Sequence, residues 1–400
     1  MSIPQLQLHF DGTRIEGIHP FATVEFSRNR WRWTFDKSTF DRSVFPGRDG
    51  RGNAAEFFRE LRTVLQWGKK YFPAGGTVGM TCYEFARYLE PRALENSANH
   101  PNLPDWRYTL CEELRRTPLP PSAAHAVPVI APPPMKADYR AAIETILAYI
   151  ASGDIYQANY VRRFSNSLRI SPAALFDRLW HIHPMPFSGF LQWNDFAIVS
   201  NSPERFLQVR DRCVRAEPIK GTCRRGMTPE EDTSLKVLLE QSGKNRAENV
   251  MITDLMRNDL GRVCQYGTVQ VPVLCQVHTF PTLHHLVSVI KGRLRPGLDA
   301  LDAFAAAFPC GSITGAPKIR AMQIIEELEQ QPRGIAMGSI GYLDFQGNAD
   351  WNVAIRTIVC QDQTASFHAG GGIVGDSDPL EEWNEMQLKA AAILRVLQQQ

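Results

Sequence analysis

The chain has 400 residues, with 44 Lys+Arg against 42 Asp+Glu, a formal net charge of +2 and 44% hydrophobic residues. This composition is typical of a soluble globular enzyme, and the near-neutral charge argues against a nucleic-acid partner held by phosphate contacts. No apolar run approaches the roughly 18 to 20 residues that span a bilayer, and the first residues lack a signal-peptide pattern, so we expect no membrane contact and a cytoplasmic location. Eight cysteines without a Cys-x-x-Cys pair argue against a zinc site.

The N-terminal part, residues 1–117, is predicted to form a lobe with strands at 23–26 and 30–35 and a helix at 53–67. Residues 118–135 are predicted to be a connector, because seven of the chain's 27 prolines lie there. Proline sustains neither a helix nor a sheet ladder. An ordered surface loop is an equally good interpretation of the same prolines.

In residues 136–400, strand patterns arrive in runs with helices between them, which predicts an α+β fold with large, mostly antiparallel β-sheets. Two residues, Ser242 and Gly243, are expected to break a long helix. The predicted helices are 139–150, about 229–259, 301–308, 317–330 and from 379 onwards; the predicted strands are 157–164, 189–193, 197–200, 205–209, 214–217, 338–345, 353–360 and 365–369.

Two carboxylates share one face of the last predicted helix. Asp378 can cap this helix, Glu382 and Glu385 follow three residues apart, and Lys389 lies four residues further on. The pattern is typical of a solvated acidic first turn with a Glu385–Lys389 ion pair. It also fits two carboxylates that face a bound divalent cation.

A third carboxylate, Glu248, lies on an apolar helical face with Met251, Ile252 and Leu255. A carboxylate in such surroundings is costly unless it meets a cation. Arginine or lysine can supply that cation. The alternative is Mg²⁺ held by three carboxylates from two helices, because this hard ion takes few protein oxygens and keeps waters or substrate oxygens.

Two glycine-bearing turns are candidate anion sites. In GSITGAPK, backbone N–H groups and the hydroxyls of Ser312 and Thr314 precede a helix, and a helix N-terminus attracts a carboxylate or phosphate. The string does not match the nucleotide-binding phosphate loop. In HAGGGIVGDSDP, Gly370, Gly371 and Gly372 follow a strand and let a ligand approach the backbone closely.

Taken together, these segments resemble the chorismate-utilising enzymes, a family that includes anthranilate, aminodeoxychorismate, isochorismate and salicylate synthases. The resemblance covers about 140–395 and includes the N-terminal third only loosely, through GMTCYEF. It implies antiparallel sheets that form a sandwich flanked by helices. The matching strings are GDIYQANY, SPERF, PIKGT, KNRAENVMITDLMRNDLGR, HHLVS, FPCGSITGAPKIRAM, RGIAMGSIGYLDF, IRT and AGGGIVGDSDPLEEWNEMQLKA.

Two positions favour an aminating member of this family. Isochorismate and salicylate synthases carry a lysine base where this chain has Gln157, and Lys220 in PIKGT is typical of aminodeoxychorismate synthases, whereas anthranilate synthases have alanine there. The resemblance therefore implies an aminodeoxychorismate synthase component I, which converts chorismate and ammonia to 4-amino-4-deoxychorismate for 4-aminobenzoate and folate synthesis. Anthranilate synthase component I or a related aminating enzyme is the alternative.

The resemblance also implies residue roles. The residue pattern around Lys220 favours an ordinary surface lysine, and the alternative is an amine that points into a closed site, loses its proton and acts as a nucleophile. By analogy Lys220 would form a covalent adduct with chorismate while Glu204 protonates the departing hydroxyl. Burial, or the nearby Arg224 and Arg225, would lower the Lys220 pKa. The implied Mg²⁺ ligands are Glu248, Glu382 and Glu385, and the implied substrate-binding residues are Gln157, His285, Ser312, Thr314, Arg356, Gly370, Gly371, Gly372 and Lys389.

Ammonia is expected from a separate glutamine amidotransferase subunit, since the chain contains no recognisable Cys-His-Glu module. Two positions depart from the family pattern: Ala336 replaces a tyrosine, and Trp351 replaces a small residue. Ala336 motivates a hypothesis of another class, a catalytically idle subunit that binds chorismate or a partner. The family's Leu-Leu-Glu-Ser string is missing from the N-terminal part, which argues against tryptophan binding.

Overall fold

The structure, a computed structural model, describes residues 4–35, 40–95, 97–98, 100–120, 133–280 and 283–399. In that part of the chain, nineteen strands form one antiparallel sheet. The strands are β1 (Gln5–Phe10), β2 (Thr13–Ser27), β3 (Arg30–Phe35), β4 (Gly50–Arg51), β5 (Gly76–Thr81), β6 (Trp106–Pro118), β7 (Gln157–Ser167), β8 (Phe187–Gln192), β9 (Ala197–Ser202), β10 (Arg205–Arg210), β11 (Cys213–Glu217), β12 (Ile219–Arg224), β13 (Gln270–Thr279), β14 (Leu283–Arg293), β15 (Gly315–Ala316), β16 (Ser339–Asp344), β17 (Ala349–Asn352), β18 (Thr357–Gln361) and β19 (Thr364–Ile373).

Nine α-helices accompany the sheet within the described ranges, and local sequence explains where they begin. Asn53 and Glu56 form a reciprocal capping box at the first helix, and Asp299 and Asp302 form another at the seventh. The helices are α1 (Ala54–Tyr71), α2 (Ala86–Leu89), α3 (Ala137–Ala151), α4 (Pro172–Ile182), α5 (Pro229–Gln241), α6 (Gly243–Gly261), α7 (Ala300–Ala307), α8 (Lys318–Glu329) and α9 (Pro379–Gln398).

The strands follow one another in an unbranched order for most of the sheet. The order is β15-β7-β19-β18-β9-β8-β1-β2-β6-β5-β16-β17-β10-β11-β14-β13. β12 pairs with β14 beside β11, and β3 pairs with β2 and carries β4. Strands from the first 118 residues therefore lie in the middle of the sheet, and strands from the C-terminal region form both ends.

The sheet folds back so that its two halves face each other. A Cβ added to Gly189 on β8 would stand 2.9 Å from a Leu8 methyl carbon on β1 and 3.7 Å from Ile340 on β16. Across the same interface, Asn352 Nδ2 donates to the carbonyl oxygen of Phe187 at 2.9 Å. Apolar side chains from β1, β5, β8, β9 and β16 fill the space between the halves. The predicted α+β class and the antiparallel sandwich are confirmed.

Helices cover both outer faces, and the alternation of side chains along the strands explains how. On β9, Ala197 and Val199 face α3, α4, α8 and α9, whereas Ile198 between them faces the interior of the sandwich. On the other outer face, α1, α6 and α7 pack on β2, β6, β10 and β17 around Trp106 and Phe304. The result is a layered molecule whose outer layers are helical.

Most predicted elements have counterparts, with one clear error. The predicted helix break at Ser242 is confirmed, since Ser242 caps α6 and separates it from α5. The strand predicted at 353–360 is confirmed only over 357–360, within β18. Its first half is wrong, since β17 ends at Asn352, β18 begins at Thr357, and Arg356 between them has a positive φ of 49°. The apolar sequence does not predict this break, because the break accompanies contacts that Arg356 makes only in the folded chain.

Only the two ends of the predicted connector lie within the described residues. Pro118 is the last residue of β6, and residues 121–132 lie outside the described residues. The division into a lobe, a connector and a catalytic region stays a prediction. No helix in the described residues is long and apolar enough to cross a membrane.

Candidate active site

The predicted site residues come from both ends of the sheet and from two helices. Lys220 lies on β12 and His285 on β14 at one end, while Gln157 on β7 and the glycines of β19 lie at the other. Folding of the sheet brings these ends together. The remaining residues are Glu248 on α6, Glu382, Glu385 and Lys389 on α9, Ser312 and Thr314 in the turn before β15, and Glu204 and Arg356 just before β10 and β18.

Glu204 is a buried carboxyl group, only 3% exposed. Burial raises its pKa to about 7, against the opposing effects of a hydrogen bond from Ser312 and the charge of Lys220. The backbone N–H of Ile219 also donates to Oε1 at 3.4 Å. A carboxyl group with a pKa near neutrality can hold a proton and release it at the pH of the cell, which is the property of a general acid.

Lys220 is a partly buried amine among charged neighbours. Burial lowers its pKa, the charge of Lys389 lowers it further, and the carboxylates of Glu248, Glu204 and Glu385 oppose both effects. The amine therefore loses its proton more readily than a free lysine does. A neutral amine is the form that acts as a nucleophile.

The lowered Lys220 pKa confirms the expected influence of burial. The other expected cause, proximity to Arg224 and Arg225, is not what the structure shows. Arg224 forms an ion pair with Glu231, and both guanidinium Nε and Nη2 atoms of Arg225 donate to Asp232 at 2.8 Å. Each arginine is thus paired with a carboxylate on α5.

The carboxylates of α9 differ in their partners. Lys389 Nζ lies 2.6 Å from Glu385 Oε1 and donates to the carbonyl of Gly370 at 3.1 Å, so the predicted Glu385–Lys389 ion pair is present. Its charge lowers the Glu385 pKa. Glu382 is buried, accepts a hydrogen bond from Ser377 at 2.6 Å, and has a raised pKa because of burial and the nearby Glu385 charge.

Glu248 faces the same group of charges from α6. Burial raises its pKa and Glu385 raises it further, while Lys220 and Lys244 lower it. Lys244 Nζ also lies 4.0 Å from Glu382 Oε1. Among the described residues, no three His, Cys, Asp or Glu side chains are grouped as a metal-binding set, so in this arrangement lysines supply the positive charge.

Two of the three consecutive glycines face the site. A Cβ on Gly371 would stand 3.2 Å from Glu382 Oε2 and 3.5 Å from Lys389 Nζ, and a Cβ on Gly372 would stand 3.0 Å from Lys220 Nζ. A Cβ on Gly372 would also lie 2.8 Å from Gln157 Nε2. A side chain at either position would thus fill the space among the charged groups.

Gln157 is fully buried, and neither its Nε2 nor its Oε1 atom finds a hydrogen-bond partner within the described part of the chain. A buried amide without partners is costly, and such groups are rare in proteins. Because this amide lies beside Gly372 and close to Lys220, its unsatisfied atoms are placed where a polar ligand can meet them.

The GSITGAPK turn contributes Ser312 but not Thr314. The Ser312 hydroxyl hydrogen-bonds Glu204 and lies 3.3 Å from the Cys310 sulfur. The Thr314 hydroxyl donates to the carbonyl oxygens of Cys310 and Gly311 at 3.1 and 3.3 Å, which closes the turn itself. Gly370 faces the carbonyl of the neighbouring strand β7, and contributes its own carbonyl to Lys389.

Arg356 is a guanidinium group without a carboxylate partner in the described residues. Its Nη1 atom lies 3.2 Å from His183 Nε2 and 3.8 Å from the sulfur of Met185. Burial lowers its pKa to about 10, and no acidic group offsets this. A desolvated cation of this kind is stabilised by an incoming anion.

His285 lies beside this arginine. Its Nδ1 atom is 2.8 Å from the Thr222 hydroxyl, and its Nε2 atom has no side-chain partner among the described residues. Burial lowers the His285 pKa to about 3, helped by the charge of Arg356. The imidazole is therefore neutral and has a ring nitrogen free for a ligand.

Sequence reasoning missed three residues that complete the site: His183, Lys244 and Ser377. Lys244 precedes Glu248 by four residues, so helical spacing gave a usable signal. His183 and Ser377 gave none, because their partners Arg356 and Glu382 are recognisable only after folding.

The two residues that depart from the family pattern lie in packed surroundings. Trp351 is fully buried against Phe304, with ring centroids 5.0 Å apart, and its indole N–H donates to the Tyr108 hydroxyl at 2.9 Å. Ala336 is buried and its backbone N–H donates to the carbonyl of Arg333 at 3.2 Å.

Curated relatives carry two different names at nearly equal similarity. Over 261 residues the chain is 47% identical to aminodeoxychorismate synthase component 1 of Klebsiella aerogenes, covering 65% of this chain and 58% of the relative. Over 257 residues it is 45% identical to anthranilate synthase component 1 of Bacillus caldotenax, covering 64% and 51%. The chain thus matches little more than half the length of these relatives.

Solved structures extend the similarity to almost the whole chain. Anthranilate synthase component I from Streptococcus pneumoniae superimposes with a TM-score of 0.74 at 27% identity, covering 95% of this chain and 92% of that one. The menaquinone-specific isochorismate synthase of Escherichia coli shares the fold, with a TM-score of 0.70 at 18% identity over 99% and 89%. The family model described as chorismate binding enzyme matches residues 115–395, and the chain belongs to this family.

Proposed function

We propose that this chain is an aminodeoxychorismate synthase component I, which aminates chorismate at C4 and keeps the enolpyruvyl group. The observation that carries the proposal is Lys220, a partly buried amine with a lowered pKa, set among Glu204, Glu248 and Lys389. The likeness to the relatives does not separate amination at C4 from anthranilate formation, since both names occur at similar identity. The Lys220 amine supports amination at C4, because a neutral amine at this place can form the covalent adduct.

The charges of the site suit a dicarboxylate substrate. Arg356 and the neutral His285 offer a cation and a ring nitrogen on one side, and Lys389 offers an ammonium donor beside the Ser312 hydroxyl on the other. Gln157 and the backbone at Gly371 and Gly372 leave space and unsatisfied polar atoms between them. An anion at Arg356 would restore the hydrogen bonds that burial removes from the guanidinium.

In the first step, the neutral Lys220 amine attacks C2 of chorismate and forms a C–N bond. The C1–C2 π electrons move to C1–C6, the C5–C6 π electrons move to C4–C5, and the C4–O bond breaks. The leaving hydroxyl takes the proton of Glu204 and departs as water. The protein is left with a secondary ammonium adduct and a Glu204 carboxylate.

In the second step, ammonia attacks C4, the π electrons return to their original positions, and the C2–N bond breaks to release Lys220 as a neutral amine. The new C4 ammonium gives one proton to Glu204. The lysine and the carboxylic acid are thereby regenerated. The product is 4-amino-4-deoxychorismate, a precursor of 4-aminobenzoate and folate.

Glu248, Glu382 and Glu385 are the residues that would hold Mg²⁺. They offer only oxygen donors, which suits a hard cation, and they lie near enough for the Glu385 charge to act on Glu248 and Glu382, although the described side chains are not drawn together into a metal-binding set. When bound, the ion would polarise the ring carboxylate and balance its charge.

A glutamine amidotransferase subunit is the proposed source of ammonia. The proposal follows from the reaction, which consumes one ammonia for each chorismate, and from the component 1 names of the relatives. A free ammonium salt can replace that subunit in an assay, because only the dissolved ammonia enters the second step.

The mass of the product tests the proposal. We expect incubation with chorismate, an ammonium salt and Mg²⁺ to give a product that retains the enolpyruvyl group, without release of pyruvate. Fluorescent anthranilate together with pyruvate would show instead that the chain is an anthranilate synthase. With ammonia left out, we expect protein carrying chorismate less one water on the peptide that contains Lys220.

A further inference from the structure

Arg333 is an almost fully buried cation close to the site. Its side chain is 2% exposed, and its Nε and Nη2 atoms donate to the two carboxylate oxygens of Glu329 at 2.8 Å. Glu329 also accepts the backbone N–H of Val161 on β7 at 3.0 Å. A guanidinium at this depth persists only because its charge and its donors are matched.

The remaining donors of Arg333 reach two backbone carbonyls that belong to the site. Nη1 donates to Ile313 at 3.1 Å, and Nη2 donates to Asn159 at 2.6 Å. Ile313 follows Ser312, whose hydroxyl bonds Glu204, and Asn159 lies two residues after Gln157 on β7. One rigid group thus joins the turn that serves Glu204 to the strand that bears Gln157.

The same arginine connects the site to the N-terminal part of the chain. Its guanidinium lies over the ring of Tyr83 at 4.5 Å from the centroid. The buried carboxylate of Glu84 accepts the backbone N–H groups of Arg333 and Gly334 at 2.6 and 3.0 Å. These contacts give a physical role to Tyr83 and Glu84 in the GMTCYEF string.

We infer that Arg333 is a positioning residue, which holds the Ser312 turn and strand β7 at a fixed spacing so that Ser312 reaches Glu204. The inference rests on the proposed function, since it assigns Glu204 the transfer of a proton. A lysine at position 333 cannot make these contacts at once, because an ammonium offers no planar fork for a carboxylate and two carbonyls.

The test compares Arg333→Lys with wild type, with Arg320→Lys on the preceding helix α8 as the control. Arg320 pairs with Asp154 at the surface, 38% exposed. We expect Arg333→Lys to lower kcat about 10- to 100-fold, with a smaller change in KM, because misplacement near reacting groups is costly. We expect Arg320→Lys to behave like wild type.

A readout that a merely structural role would not move is the proton affinity of Glu204. Its carboxyl faces Ser312, the N–H of Ile219, Lys220, Lys389 and the Cys310 thiol. Loss of the Ser312 hydrogen bond removes an influence that lowers the Glu204 pKa, so the alkaline limb of the kcat profile should move to higher pH in Arg333→Lys. Carboxyl ¹³C NMR, assigned with Glu204→Gln, measures the same shift without turnover.

Glu329→Gln is the second variant if Arg333→Lys does not fold. It preserves the shape of the partner and weakens its hold on the guanidinium, so a several-fold lower kcat and a smaller shift in the same direction are expected. Folded variants that lose thermal stability but keep the wild-type kcat and Glu204 titration would overturn the inference. Wild-type protein that makes no aminodeoxychorismate would sink the proposed function, and the NMR titration would still decide the role of Arg333.

Discussion

Two arginines, the buried Arg205 and the partly buried Arg356, have very different surroundings. Arg205 donates to Asp350 at 3.0 and 3.2 Å and forms ion pairs with Glu217 and Asp11 at 2.7 and 3.2 Å. Burial lowers its pKa, but these carboxylates outweigh burial and raise it. Arg356 meets a histidine nitrogen and a thioether instead, and burial lowers its pKa to about 10.

The difference separates structural charge from functional charge. Each guanidinium nitrogen of Arg205 has a carboxylate acceptor, so this arginine is paired without a ligand and stabilises the fold. Around Arg356, Gln157 and His285 the described structure leaves donors and acceptors unmatched. Unmatched buried polar groups cost free energy, and a charged substrate can supply the partners that these groups of the site lack. Substitutions around Arg205 should therefore lower stability and change activity little. Substitutions in the site should lower activity and not stability.

The largest effect is expected for Lys220→Ala. Loss of the nucleophile should reduce aminodeoxychorismate formation at least about a thousandfold, while the thermal stability stays equal or rises because a desolvated amine is removed. Product formation and thermal unfolding are measured on the same preparation. Lys236→Ala, at an exposed position of α5, is the control and should retain wild-type activity. Activity that survives Lys220→Ala would point to the anthranilate-type reaction.

Glu204→Gln should lower kcat about a hundredfold, because the leaving hydroxyl loses its acid. Since the Glu204 pKa is about 7, wild-type activity should fall as pH rises through that value, and the variant should lack this limb. Stability should also fall with rising pH, because the Glu204 pKa is raised from the ordinary value of 4.5. Between pH 4.5 and 7 the unfolded glutamate ionises while the folded one keeps its proton, so the wild-type free energy of unfolding decreases as pH rises.

Urea unfolding at pH 5 and pH 8 checks this second consequence of Glu204→Gln. The variant should lose less stability than wild type between the two values, by about 2 kcal/mol. A wild type and a variant with the same pH dependence of stability would show that Glu204 is not desolvated. The comparison distinguishes the pH dependence of stability caused by the Glu204 proton from a general loss of stability in the variant.

Asp350→Asn tests the complete cluster around Arg205. Removal of a buried carboxylate leaves a desolvated guanidinium short of charge, at an expected cost of about 3 kcal/mol in the free energy of unfolding. The activity of the folded protein should change less than about twofold. Asp154→Asn is the control, because its ion pair with Arg320 is exposed and should contribute less than about 1 kcal/mol. Chemical unfolding followed by intrinsic fluorescence gives both values.

Much of the fold was predictable because short alternating or continuously apolar runs mark the strands. Ala197, Ile198 and Val199 show apolar character on both faces, as expected for a strand between a helical layer and a second sheet half. The break between β17 and β18 was not predictable, because Val353 and Ala354 continue the apolar pattern through it. Their backbone N–H groups bond Glu204 and Gly338, contacts that depend on the packed sheet.

The site was predictable to the extent that its chemistry lies in contiguous strings. Glu382, Glu385 and Lys389 are neighbours on one helix, so spacing alone brought them together. Lys220 on its own was indistinguishable from a surface lysine, and only the resemblance of PIKGT gave it a role. The pairing of Arg356 with His183 and the bonds of Arg333 to Ile313 and Asn159 join segments far apart in the chain. No local pattern encodes such contacts.

The smallest effect is expected for Arg356→Gln, which sharpens the comparison from the side of the site. Loss of the guanidinium should raise the KM for chorismate about 20-fold, since a hydrogen bond to a charged group contributes roughly 1.5 to 3 kcal/mol. The free energy of unfolding should not fall, because the arginine has no carboxylate partner to leave behind in the described structure. Steady-state kinetics and urea unfolding together decide the matter. A stability loss as large as that of Asp350→Asn, with KM unchanged, would place Arg356 among the structural charges and remove it from the substrate site.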